Sequence, residues 1–252
     1  MIRRSVIVIG ILSAAAHLFA QQGRGGRAAG PPATPRENAP ADITGYWVSL
    51  ITEDWLYRMV TPPKGDRRNV PVNAAAIAVV NAWDPAKDEA AGEQCKAYGA
   101  VGTMRQPGRL HITWADASTL KIETEAGTQT RLLHFAPDAG GGGPSWQGDS
   151  TATWEYGGRR GRGAASNNGS LKVVTKNLRP GYLQKNGVPY SANAVLTEYF
   201  SRTAEPNSDN WLILTAIVED PQYLTVPFIR SSHFKRLPDT FAGWEPEPCS
   251  AK

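Results

Sequence analysis

The sequence is short of several things, and each shortage removes a class of function. Long apolar runs are missing: the strongest, Ser5–Ala16, has 12 residues, where a bilayer-crossing helix needs roughly 20. No membrane span is therefore expected. Charge of one sign is missing as well. Without Arg3 and Arg4 the 27 basic residues become 25 against 23 acidic ones, which gives no electrostatic reason to bind nucleic acid. Neither G-x-S-x-G, H-E-x-x-H, a phosphate loop nor a dinucleotide fingerprint occurs, so the common hydrolase, zinc-peptidase and nucleotide-binding readings lose their footing. No cofactor is called for. Cysteine is scarce, with only Cys95 and Cys249.

What is present begins with Arg3 and Arg4 ahead of the apolar run, the pattern of a signal peptide over residues 1–20, cleaved after Ala20 or after Ala16. The expected location is exported, periplasmic or extracellular. In an oxidising compartment two cysteines are expected to pair. A Cys95–Cys249 bridge closes a loop worth about 5 kcal/mol by chain entropy.

Residues 21–42 hold Gly, Pro, Ala and Arg with little to bury, which reads as a disordered linker before a domain over 43–252. From Ile43 onward, short runs of period-two alternation are separated by Gly, Pro, Asn and Asp, the pattern of antiparallel strands. Ten are expected: 45–50, 54–60, 109–114, 119–124, 130–135, 151–156, 170–177, 194–202, 211–219 and 227–235. Only the Ala-rich stretch from Asn73 to Trp83 argues for a helix, with Asn73 as N-cap and Asp84-Pro85 as stop. The fold class is all-β: an antiparallel meander closing into a lipocalin-like barrel, or a barrel-like sandwich, with one short helix. The run Trp211–Glu219 is apolar in both alternating rows, which suggests burial on both faces. Two glycine-rich stretches, 137–144 and 157–169, are expected hairpin tips, the second carrying Arg159, Arg160 and Arg162.

The opening Gly45-Tyr46-Trp47 resembles the G-x-W of lipocalin-like barrels. That resemblance implies an up-and-down barrel with a ligand cavity, the tryptophan closing its base, and a late arginine, Arg230 or Arg236, packed upon it. Further stretches, among them Gln94-Cys95-Lys96-Ala97-Tyr98-Gly99, Lys185-Asn186-Gly187-Val188-Pro189-Tyr190-Ser191, Glu198-Tyr199-Phe200 and Glu219-Asp220-Pro221-Gln222-Tyr223-Leu224, resemble a large uncharacterised family of exported bacterial β-rich proteins. The likeness implies a fold and no substrate.

Chemistry must come from individual residues. His111, His134 and His233 fall on separate strands without ligand spacing, so no metal site is expected. Glu198 sits among Leu196, Tyr199 and Phe200, an environment suited to a proton carrier. By strand parity Glu198 faces the side of Leu196 and Phe200, and Arg230 the side of Phe228 and Phe234, so the two would pair if both faces line the interior. The segment Arg179–Tyr190 is either a plain hairpin loop or a lid, with Arg179 and Lys185 meeting a polar ligand and Tyr182 stacking on it. Trp114, Trp154 and Tyr199 are candidate aromatic walls. The expected function is binding of a small apolar or aromatic molecule in a barrel cavity. The alternatives are a cofactor-free lyase, isomerase or hydrolase using Glu198 or His134 with Arg230 or Arg179, and a surface scaffold. The sequence indicates no oligomeric state.

Overall fold

In the computed structural model the described residues are 32–136, 142–157 and 169–252. Its strands are β1 (Gly45–Leu50), β2 (Arg109–Trp114), β3 (Thr119–Thr124), β4 (Ala126–Gly127), β5 (Gln129–His134), β6 (Asp149–Tyr156) and β7 (Gly169–Lys176). They continue with β8 (Gly181–Gln184), β9 (Val188–Tyr190), β10 (Val195–Ala204), β11 (Asn210–Glu219), β12 (Phe228–Arg236) and β13 (Glu247–Pro248). The helices are α1 (Trp55–Arg58), α2 (Ala74–Ala82), α3 (Pro85–Ala90) and α4 (Ala100–Thr103). The expected signal peptide, with residues 21–31 of the linker and most of both glycine-rich tips, including Arg159, Arg160 and Arg162, lies outside the described residues.

Nine strands, β1, β2, β3, β5, β6, β7, β10, β11 and β12, close a barrel in chain order, β12 pairing back on β1. The all-β barrel expected from the alternation is the fold that forms. Eight of the nine seams are antiparallel; β5 and β6 run parallel, with Leu133 opposite Ser150 and His134 opposite Thr151. The count explains this step. An odd number of strands joined in chain order cannot alternate direction all the way round, so one neighbouring pair must share it.

Because strand side chains alternate, every second residue points inward. Trp47, Leu110, Ile112, Leu120, Ile122, Leu133, Leu171, Phe200, Leu212 and Phe234 fill the middle of the barrel and are almost wholly buried. Each such side chain stabilises the fold by roughly 1.5–3 kcal/mol. The expected two-sided burial of β11 is only partly realised. Its outward row, Trp211, Ile213 and Ile217, is half-buried beside outward neighbours on β10 and β12.

Asp54–Val60, expected as a strand, contains instead the one-turn helix α1. Both edges of β1 are already occupied by β12 and β2, so this segment has no free edge to join. The helix expected within Asn73–Trp83 forms over Ala74–Ala82, with Asn73 Oδ1 accepting from the Ala76 amide at 3.1 Å. Pro85 both ends it and starts α3, whose cap is Asp84. A second core, including Val80, Val101, Leu183, Val188, Tyr190, Leu196, Val218 and Phe228, closes the barrel end at which Leu50, Gln129 and Phe228 lie. This is the plugged end. The other, at Trp114, His134 and Tyr156, is the open mouth.

Cys95 and Cys249 are bonded, across 154 residues of sequence. The bridge ties the C-terminus to the domain beside the short parallel pair β4–β13.

Candidate functional site

Trp114 ends β2 on the inward row, and Trp154 lies near the end of β6, also inward. Their rings and that of Phe135 group at the open mouth, with centroids 5.4 to 6.5 Å apart. Phe135 directly follows β5, which brings it to the same rim. Over these rings runs the segment Ala33–Thr44. Its anchoring uses backbone carbonyls: Trp154 Nε1 donates to Pro35 O at 2.8 Å, Tyr156 Oη donates to Asn38 O at 3.0 Å, and the Arg36 amide donates to Ala117 O at 3.2 Å. Pro40 is buried, and a Cβ at Gly169 would run into its ring at 2.6 Å. The expected linker thus stops short of residue 42. A stretch with few side chains to bury still caps the barrel through its carbonyl groups.

Between this strap and the tryptophans lies a cavity of about 310 Å³ lined by Trp114, Trp154, Ile43, Ala39, Arg36 and Asp42, among others. Trp154 is nearly buried, whereas Trp114 is partly exposed and forms the accessible wall. Burial pushes the Asp42 carboxyl up, but hydrogen bonds from the Thr44 hydroxyl and amide, with the charges of Arg236 and Arg202, outweigh it and hold the group below the ordinary value. The site therefore presents two indole faces, one guanidinium and one carboxylate already held by Thr44.

Trp47 sits deeper, fully buried, with its Nε1 donating to Ile43 O at 3.0 Å. Of the two late arginines, Arg236 lies over its ring, 5.8 Å from the centroid. Gly45 is needed here: its φ is +109°, and a Cβ would stand 3.0 Å from Arg236 Nη2.

The remaining expected site residues are dispersed. Glu198 does face the interior beside Leu196 and Phe200, yet its partner is Arg131 and not Arg230. The Arg131 guanidinium crosses the lumen from β5 and donates to both carboxylate oxygens, at 2.6 and 3.1 Å, and to Thr175 Oγ1 at 3.4 Å. Ser150 bonds the same threonine at 2.8 Å, so β5, β6, β7 and β10 all contribute to one polar layer. Arg230 stands two strands away from Glu198, with Ala216 of β11 between them. It turns toward the plugged end to pair with Asp54 at 2.8 Å. Arg131 was missed although the parity argument applied to Glu198 finds it: it shares its face with Leu133.

His134 Nδ1 lies 3.3 Å from Thr119 Oγ1 at the barrel rim, away from Glu198. Of the two readings of Arg179–Tyr190, the hairpin is the one that forms, and the lid is not. The segment folds as the β8–β9 hairpin and drives into the second core, with Asn186 fully buried and donating to Pro63 O and Asp66 O. A Cβ on Gly187, at φ +83°, would collide with the Trp83 ring. Arg179 is spent on Glu93 at 2.8 Å and on the Trp146 ring at 4.1 Å. The Tyr182 hydroxyl donates to Asp88 at 2.8 Å, and burial, then this carboxylate, raises its pKa well above the usual tyrosine value. Lys185 lies over Tyr98, beside a separate cleft of about 200 Å³. Tyr199 points outward, under Lys172. Among the described residues, no three His, Cys, Asp or Glu side chains gather as metal ligands.

No family model, curated protein or solved structure matches this chain.

Proposed function

We propose that the protein is exported and binds a small molecule with an aromatic or apolar body at the mouth of its barrel. The observation that carries this reading is the cavity between Trp114, Trp154 and the Ala33–Thr44 strap. Barrel mouths are favoured places for ligands, and about 300 Å³ is the lower end of ligand-pocket volumes. Two indoles offer flat apolar area at low entropic cost. Arg36, on the rim, supplies a donor fork for an acidic or hydroxylated substituent. An aromatic or alicyclic carboxylate meets all of these features. The disulfide fits an oxidising compartment, and among the described residues no helix is long and apolar enough to cross a membrane.

The test is a thermal-shift and fluorescence titration against aromatic carboxylates, phenols, sugars and fatty acids. A hit in the first group is expected to weaken about tenfold or more in Trp114→Ala, where a stacking face is lost. The variant should melt lower, since the ring packs on Phe135 and Trp154, but remain folded because the ring is partly exposed. Arg36→Ala should weaken carboxylates selectively. Absence of any hit, or binding indifferent to Trp114, removes the reading.

A further inference from the structure

Among the described residues, seven large apolar side chains are left exposed. Four lie on or just after α1, namely Trp55, Leu56, Met59 and Val60, at 55 to 66 % exposure; Val226 and Ile229, before and at the start of β12, are two more. The ion pair of Asp54 with Arg230 joins these two segments. The patch is therefore at the plugged end, opposite the aromatic mouth.

The polarity of α1 is inverted. Its one buried residue is Arg58, which pairs with Glu53 and donates to Arg105 O at 2.9 Å and Ser49 Oγ at 3.3 Å. Anchored by its cation, the turn holds its tryptophan, leucine and methionine out in water. That arrangement forgoes more than half of the burial energy of each side chain unless something else covers them. Directly after it come Lys64, Arg67 and Arg68 against a single acid, Asp66. Lys64 and Arg68 are exposed, and Arg68 is paired with Asp66 at 2.8 Å, which leaves Lys64 and Arg67 as the surplus positive charge.

We propose that this tip is a peripheral docking surface for an anionic lipid bilayer. The apolar side chains would enter the boundary between headgroups and acyl chains, and the basic residues beside them would meet lipid phosphates. Tryptophan and aliphatic side chains next to lysine and arginine are the chemistry of interfacial membrane segments. A face one helical turn across is small for a protein partner, which usually covers about 800 Å² on each side. Charge complementarity selects anionic over zwitterionic lipid.

Flotation of the mature protein with vesicles of phosphatidylglycerol and phosphatidylethanolamine, and with pure phosphatidylcholine, tests this. Binding is expected to the anionic vesicles and to fall with added salt. The triple variant Trp55→Ser, Met59→Ser, Val60→Ser should reduce it at least tenfold, and Lys64→Ser and Arg67→Ser by about fivefold each. The triple variant and Lys64→Ser should melt like the parent, since those side chains are exposed and Arg58 and Asp54 are retained. Arg67→Ser gives up one hydrogen bond to Gly65 O and should stay folded. The proposal is overturned if no vesicle binds, if the triple variant floats like the parent, or if the parent is a dimer that the triple variant makes monomeric. Aromatic-ligand binding at the other end stands or falls separately.

Discussion

Glu198→Gln is the most informative single change, because it separates a structural polar centre from a reactive one. The substitution keeps the shape of the side chain and leaves the fully buried Arg131 guanidinium without a countercharge. Removing one partner of a buried pair costs about 3–5 kcal/mol, because the remaining charge stays desolvated. In a domain of this size each kcal/mol lowers the melting temperature by about 2–4 °C, so a fall of about 6–20 °C is expected. The double variant Arg131→Met, Glu198→Leu removes both charges at similar volume, and Thr175 and Ser150 still bond each other. It should recover most of the loss or exceed the parent, since replacing a whole buried pair by apolar groups is often neutral or stabilising. Urea unfolding followed by circular dichroism, with calorimetry, measures both. A Glu198→Gln penalty below about 1 kcal/mol, or a double variant no better than the single, would refute the assignment of this pair as a desolvated structural link across the barrel.

Three other outcomes follow from the geometry. Reducing the Cys95–Cys249 bridge, or replacing both cysteines with serine, should cost up to about 5 kcal/mol by released loop entropy, read as a shift in urea midpoint with and without reductant. The Asp42 carboxyl has a lowered pKa in the folded state, so it stabilises folding above its unfolded value near 3.9 and loses that contribution as pH falls through the lowered folded value. The stability difference between parent and Asp42→Asn should be constant above about pH 5 and shrink toward pH 3; a difference that grows on acidification reverses the sign and rejects the argument. Gly45→Ala should destabilise by about 1 kcal/mol or more from its positive φ alone, whereas Gly92→Ala, also at positive φ but with open space around it, isolates that backbone cost from the crowding against Arg236.

The strand pattern was legible because a two-residue period in hydrophobicity depends on neighbours along the chain. It marked the nine barrel strands, and parity set Glu198 on one face with Leu196 and Phe200. The same reading mistook Asp54–Val60 for a strand, because α1 hides its arginine and exposes its apolar residues, against the usual direction of burial. It also paired Glu198 with Arg230, since local alternation shows which way a side chain points and not what lies across the lumen.

Sequence alone thus determined the all-β class, a helix between Asn73 and Asp84, the alternating rows of each strand and the two cysteines available to bond. Tertiary structure decided the rest: that Arg131 meets Glu198, that Asn186 and Tyr190 plug one end, and that Pro35 and Asn38 cap the other. These depend on barrel closure, which brings together residues tens of positions apart, and on backbone carbonyls, which every residue carries and no composition reveals.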